Sequence, residues 1–459
     1  MAKSDRYTFQ NKMKRMVTDL RQKIKSGAYA QGDYLPSEMS LIELYGLSKN
    51  SVRQALDQLV QEELIVKVPR VGTQVVASNG QVRKIRFGMY PSLYAEAEME
   101  DLLALFQERH PDIFVEIVDL PYEHAESIAN LMRLGIVDVL SVNMQDMMHF
   151  QESGSTGLFL PQQPYASTYT FLHAPFEDAE GNLAAKPFIH SPVILAYNKE
   201  HLREKRQFEP DSSWSWDDLK RMLRELKSPG RYSLALQLYS LNRWPIFLMQ
   251  SRGDTKIDSS WSRAIEGLSW LRGLIHEDGM FPLALAQGAF EAENLFREQK
   301  VSVILTTYYL LNQLKGAPFT YDVAPLPHFD NGTTLLLGTG IGVSAHSKER
   351  DLAQSFADFL ASDEVQEYIR RHSYSLPANR YITENVDPEL EGRPSRLNLH
   401  REMAHLYKTC KNIPLSLDEM LLFREQLKQY FSYLIDEEEL MSVLGSKTTT
   451  TRDKWIHKL

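Results

Sequence analysis

The sequence predicts a multidomain chain, a small α+β helix-turn-helix unit with a wing ahead of a larger α/β unit. Three observations lead to this reading. A length of 459 residues exceeds one ordinary domain. Charge divides unevenly, with residues 1–84 carrying a formal +6 and the remainder −15. A basic head on an acidic body fits a head that meets a polyanion. The hydrophobic pattern also changes character near Ser78–Gln81, a short polar stretch. The units are placed at residues 1–78 and 85–459, with a linker at 79–84.

The head comes first in order. Leu35-Pro36-Ser37-Glu38 opens a helix, because Ser37 can cap orphan amides and Glu38 suits the positive end of the dipole. Leu41, Ile42, Leu44 and Tyr45 supply its buried stripe, and Gly46 ends it. Ser48 opens a second helix with Val52, Leu56, Leu59 and Val60 at helical spacing. Ser48, Lys49, Asn50, Ser51 and Arg53 point outward from its first turns. These are donors of the kind that reach phosphates and base edges in a major groove. Glu63–Val68 and Thr73–Val76 then read as strands around a Pro69-Arg70-Val71-Gly72 turn, making a wing.

Residues 7–77 resemble the winged-helix DNA-binding domain of the GntR family of bacterial transcription regulators. The resemblance rests on Gly27-x-Tyr29-x-x-Gly32-x-x-Leu35-Pro36-Ser37-Glu38, on Ser48, Val52, Arg53, Ala55 and Leu56, and on Gly72-Thr73. It implies DNA contacts by Ser37, Ser48, Lys49, Asn50, Ser51, Arg53, Arg70, Gly72 and Thr73. The sequence departs from the family at Met39, where Arg or Lys is usual, and at the wing tip, which reads Arg70-Val71-Gly72 where Gly-Lys-Gly is usual.

The body opens with a strand, Lys84–Pro91, a helix, Glu98–His110, and a second strand, Ile113–Val118. A helix at Ser127–Leu134 and a buried strand at Val137–Val142 follow. That alternation is a parallel α/β layout. Ligands in such sheets bind beyond the carboxyl ends of strands, which points to Tyr90–Tyr94 and Asn143–Asp146. Further strands follow at Ala185–Lys199, in the run before Ile304, and in the glycine-rich Gly338–Ser344. Helices are expected at Ser215–Leu219 and Ala353–Leu360.

In order and spacing these segments resemble the family 1 extracellular solute-binding proteins of ABC transporters, the class that includes maltose-binding protein. Pro187-Phe188, Tyr197-Asn198-Lys199, Ala324-Pro325-Leu326-Pro327 and Leu376-Pro377-Ala378 carry the likeness. It implies an α/β bilobed periplasmic-binding-protein-like fold (type II), with chain crossings placed near residues 194, 326 and 376. A cleft binding sugars should pair aromatic platforms with fixed polar groups. The candidates, taken from strand and helix ends, are Tyr90, Ser92, Tyr94, Asn143, Gln145, His190, Arg243, Trp244, Tyr308, Tyr309 and Thr339. Trp244 and Tyr308 are singled out among them, whereas Trp214, Trp216, Trp261 and Trp270 read as core.

Other chemistry finds little support. The Gly338-x-Gly340-x-Gly342 run lacks the following helix of a nucleotide fingerprint and reads as a strand passing close to a ligand or hinge. Neither paired cysteines nor His-Glu-x-x-His occurs, and Cys410 is the only cysteine. Some GntR regulators carry a pyridoxal-phosphate-binding, aminotransferase-like domain; Ser344–Lys348 lacks the surroundings its Schiff-base lysine needs. The first residues have no apolar leader core, and no apolar run approaches the roughly 20 residues that span a bilayer. The expectation is a cytoplasmic, non-enzymatic, ligand-responsive regulator, a homodimer on double-stranded operator DNA. It senses a small solute, a mono- or oligosaccharide, with no cofactor, metal or membrane.

Overall fold

A computed structural model of the protein describes residues 13, 16–21, 23–24, 27–68, 71–76, 83–252, 261–277, 279–282, 291–329, 331–385 and 392–442. Arg70, and the expected linker up to residue 82, lie outside the described residues.

In the head, helix Glu38–Tyr45 starts where the Ser37 side chain accepts from the Ser40 amide. It ends at Gly46, in the left-handed region at φ 59°. Gly46 permits that sign of φ at no steric cost. Helix Lys49–Gln61 is capped by Ser48, which accepts from the Ser51 amide. Its inward row, Val52, Ala55, Leu56 and Leu59, joins Leu41, Leu47, Ile65 and Val75 in one core. Leu44, expected inward, is 64% exposed. So short a helix presents one turn to the core, and Leu41 occupies it. Strands β1 (Ile65–Val68) and β2 (Gly72–Val75) form the antiparallel wing.

The body is built on β3 (Arg83–Met89), β4 (Ile113–Asp119), β5 (Val139–Asn143), β6 (Ala185–Asn198), β7 (Tyr232–Ala235), β8 (Val301–Thr307), β9 (Tyr321–Ala324), β10 (Thr334–Val343), β11 (Leu376–Pro377) and β12 (Tyr407–Lys408). They join in the order β4-β3-β5-β10-β6-β8-β7, with β9 and β11 on β6 and β12 on β10. The first three strands pair in parallel, whereas β10 enters antiparallel to both β5 and β6.

Strand β6 belongs to two lobes. All 14 of its residues are buried. Its first half pairs with β10, from Ala185↔Gly342 to Pro192↔Leu336. Its second half pairs with β8 and β9, from Val193↔Thr307 to Asn198↔Tyr321. Side chains alternate between faces: Val193, Leu195 and Tyr197 enter one core with Trp216, Trp244 and Phe423, and Ile194 and Ala196 enter another with Phe296 and Tyr308. The first lobe is likewise two-sided. Val139 packs with Phe87, Phe106 and Phe356, while Leu140 and Val142 pack with Phe150, Phe159 and Phe176.

The glycine run has a packing cause. A Cβ on Gly342 would lie 2.6 Å from the Phe159 ring, and one on Gly340 3.0 Å from Phe176 and 3.1 Å from the Lys186 carbonyl. Aromatic rings pack close to the strand where side chains are missing. Gly342→Ala is therefore expected to destabilise the protein by about 1–3 kcal/mol through overpacking, read as a lowered urea midpoint. An unchanged midpoint would show that Phe159 yields without cost.

Candidate functional site

Two surfaces offer recognition chemistry. On the head, Lys49, Asn50, Arg53 and Gln54 are exposed on the first turns of the second helix. Ser51 is not: it is 2% exposed, and its hydroxyl meets that of Ser48 at 2.7 Å. This corrects its assignment to the outward face, because position 51 shares the buried side with Ala55. Ser37 and Ser48 are exposed but occupied as helix caps. Arg53 is half-exposed and pairs with Glu38 at 3.0 Å, which ties the two helices together. Gly72 and Thr73 stand at the start of the returning wing strand, with Gly72 exposed and Thr73 partly buried. Met39 and Val71 present apolar surface, 65% and 63% exposed.

On the body, a cavity of about 350 Å³ opens between the lobes. The register of the sheet assembles it. Asn143 at the end of β5 lies opposite Thr339 on β10, and Thr307 ends β8 opposite Val193. From the first lobe come Tyr90 and Ser92, just past β3, with Asn143 and Gln145 just past β5. Gln237, Ser240, Asn242 and Arg243, in the turn after β7, line the other wall. Tyr309 and Thr339 also line the cavity.

The walls are positioned by hydrogen bonds. Asn143 caps helix Met144–Glu152, accepting from the amides of Gln145 and Asp146, and its Nδ2 donates to Asp146 at 2.9 Å. The Tyr90 hydroxyl donates to the same buried carboxylate. Burial holds the Asp146 carboxyl above its usual range, with Tyr90 and Asn143 opposing. Tyr90 stacks on Tyr122, centroids 5.0 Å apart and planes 17° from parallel, and the Ser92 amide donates to the Tyr122 hydroxyl. These rings form a flat aromatic platform at the cavity wall. Tyr309 donates to the Ile189 carbonyl at 3.0 Å.

Arg243 is 1% exposed yet reaches the cavity. Its Nε donates to the Leu305 carbonyl and Nη1 to the Asn242 carbonyl, while Nη2 has no hydrogen-bond partner among the described residues. Burial lowers its pKa to about 10, with Glu293 opposing, so it stays a cation at neutral pH. The lobes also touch across the cleft: Gln145 Nε2 donates to Asn242 at 2.6 Å, and Arg424 reaches both carboxylate oxygens of Glu123 at 2.7 and 2.8 Å.

Four expected cleft residues lie elsewhere. Trp244 is wholly buried against Phe423 in the second lobe's core. Tyr308 is wholly buried too, its hydroxyl donating to the Leu397 carbonyl at 2.8 Å. Each follows a lining residue by one position, and about 100° of helical turn carries it inward. Tyr94 packs partly buried against the first lobe's core, and His190 borders a different cavity. Conversely Glu96, Tyr122, Glu123, Gln237, Ser240 and Asn242 line the cleft without having been singled out. Only the loop position of the last three, after a strand of an α/β sheet, could have signalled them.

Glu96 brings titration into the cleft. Burial raises its pKa from 4.5 to about 7, with the Ser92 hydroxyl opposing. A carboxyl raised in the folded state lends stability that is full below the unfolded value and lost as pH rises through the folded one. Wild type should therefore lose stability relative to Glu96→Gln between pH about 4.5 and about 7, as read from urea midpoints. Parallel curves for the two proteins would remove Glu96 from the account.

Comparison with known proteins agrees with this architecture. Residues 90–367 match the bacterial extracellular solute-binding protein family, and residues 12–75 match the gntR family of bacterial regulatory proteins. The galactooligosaccharide-binding protein of Bacillus subtilis is 24% identical over 334 residues, spanning 69% of this chain and 77% of that protein. The histidine utilization repressor of Klebsiella aerogenes is 36% identical over 73 residues, 16% of this chain and 29% of the repressor. An ABC substrate-binding protein of Listeria monocytogenes, solved with cycloalternan, superposes with a TM-score of 0.67 at 18% identity, over 80% of this chain and 99% of that one. Maltose-bound MalE3 of T. maritima gives the same TM-score at 17% identity, again over 80% and 99%. The chain belongs to the bacterial extracellular solute-binding protein family, and it carries, ahead of that bilobed domain, a DNA-binding head of the GntR regulator type.

Proposed function

We propose that the protein is a one-component transcription regulator whose bilobed body senses a neutral carbohydrate and whose head binds operator DNA as a homodimer in the cytoplasm. The observation that carries the sensing half is the Arg243 guanidinium, buried at the cleft wall with one nitrogen unpartnered. An unmade hydrogen bond from a buried charge is costly, and a ligand hydroxyl would complete it. The Tyr90–Tyr122 platform suits the apolar C–H face of a sugar ring, and Ser240, Asn242 and Thr307 suit its hydroxyls. The B. subtilis relative is named for galactooligosaccharides, and the Listeria neighbour holds cycloalternan. Both favour an oligosaccharide here. No reaction is assigned to the cleft.

Closure of the lobes is the two-state element, held through Gln145–Asn242 and Glu123–Arg424 when shut. Repression relieved or imposed by ligand then follows from linkage. The factor by which ligand changes operator affinity must equal the factor by which operator changes ligand affinity.

Titration calorimetry with maltose and with a galactooligosaccharide tests the sensor. Arg243→Lys keeps the charge and loses the fork, so binding should weaken about ten- to hundredfold, the worth of a charged hydrogen bond of about 1.5–3 kcal/mol. Unaltered affinity in that variant would refute the role of Arg243, and heatless titrations with both sugars would refute the ligand class. For the head, a duplex selected from a random library by the wild-type protein serves as operator. Lys49→Ala should shallow the salt dependence of binding by about one unit. Asn50→Ala should weaken binding by about 1–3 kcal/mol at unchanged salt slope, as loss of a base contact does. Full affinity in both variants would place the recognition face elsewhere.

A further inference from the structure

A second cavity, of about 390 Å³, lies around His190 and His400. Its walls include the aromatic rings of Tyr169, Phe171 and Tyr407 together with Glu384 and Arg401. Tyr169 and Phe171 stack at 4.8 Å, and both meet His190 edge-on, at 5.3 and 5.6 Å. His190 is 1% exposed and His400 3%. Among the described residues, neither Nδ1 of His190 nor Nε2 of His400 has a hydrogen-bond partner. Leaving one buried polar atom unmet costs about 1–3 kcal/mol. Both histidines line one cavity, while the hydroxyls and the guanidinium beside them are served. The Tyr169 hydroxyl donates to Glu384 at 3.1 Å, the Tyr407 hydroxyl to the His400 carbonyl at 3.0 Å, and Arg401 to the Glu384 carbonyl.

We propose that this cavity is a second small-molecule site, separate from the interlobe cleft, for a neutral, hydroxyl-rich ligand of about monosaccharide size. Charge supports neutrality. The lining itself carries one charge of each sign, Glu384 and Arg401, with the buried Arg370 near enough to act on both rings. Both imidazoles stay uncharged at neutral pH, His190 held down to about 3 by burial against the opposing backbone of Leu376 and Pro377, and His400 held down by burial, then by Arg370, His190 and Arg401. A neutral imidazole nitrogen either accepts from a hydroxyl or donates to one, and aromatic walls cover C–H faces. The site also has a mechanical address. His190 sits on β6, paired with Gly338 of β10 on one side and Leu376 of β11 on the other, and Gly338 lines the interlobe cleft.

Saturation-transfer NMR on the full chain, with D-glucose, D-galactose and myo-inositol as probes, tests the proposal without relying on the sensor reading. At least one probe should give signals that persist in Arg243→Lys, which alters the cleft, and vanish in His400→Phe, which fills the cavity. Should His400→Phe fail to fold, Phe171→Ala, which removes one aromatic wall, takes its place. Signals that survive the cavity variant, signals lost in Arg243→Lys, or silence from all probes with the wild-type chain would each overturn the second site. Failure here leaves the cleft assignment standing, because calorimetry with the oligosaccharides reads that site through Arg243.

Discussion

Strand β6 is shared by the two lobes and contributes to the cores of both, and most of the body depends on that sharing. Its residues are buried from end to end, and their side chains alternate between faces on which different helices pack. A slip of one position would send Val193, Leu195 and Tyr197 to the face now filled by Ile194 and Ala196. The register is therefore fixed on both sides of the waist, and with it the places of Thr339, Thr307 and Asn143, which bring polar side chains to the gap between the lobes. The cleft is thus a by-product of sheet pairing, with its chemistry supplied by strand residues such as Thr307 and Thr339 and by the turns that follow strands.

Those end residues are held by local hydrogen bonds more than by bulk packing. Asn143 is consumed by capping its own helix and by Asp146, so its contribution is to aim Gln145 and, through the shared carboxylate, Tyr90. Arg243 differs, because part of its hydrogen-bonding capacity is spent on carbonyls and part remains. The stacked tyrosine pair and Arg243 line one cavity, and in the proposed sensor such a prearranged wall would reduce the ordering cost of binding.

What could be read in advance follows from the range of the interactions. The head was legible because its determinants are local: Ser37, Gly46 and Ser48 act on amides and carbonyls within four residues of themselves. Strand ends were legible for the same reason, and Tyr90, Ser92, Asn143 and Gln145 do reach the cleft. Directions within a single turn were not. Tyr308 and Tyr309 are neighbours in a four-residue helix, yet one faces the core and the other the cavity. Trp244 beside Arg243 repeats the case, since an aromatic at a helix start satisfies a core and a binding site equally well on paper. Glu96 was not among the candidates, and its buried setting arises from residues distant in sequence, with the hydroxyl of Ser373 on its carbonyl. His190 was taken as a strand-end candidate but lies within β6, and β11, paired across from it, belongs to a segment far along the chain.

The head joins the body through β3, which lies between β4 and β5 inside the first lobe and makes no ladder with the second. The first lobe is consequently the one to which the head is joined along the chain. Suppose two copies are fastened through their second lobes. Each swing about β6 would then act as a lever arm, and the distance between the two heads would change with every opening and closing. Fastened through the first lobes instead, the same swing would move only the distal halves and leave the spacing on the duplex untouched. In the proposed dimer, the choice of which lobe a partner grips would thus decide whether one and the same rotation reaches the heads or leaves them in place.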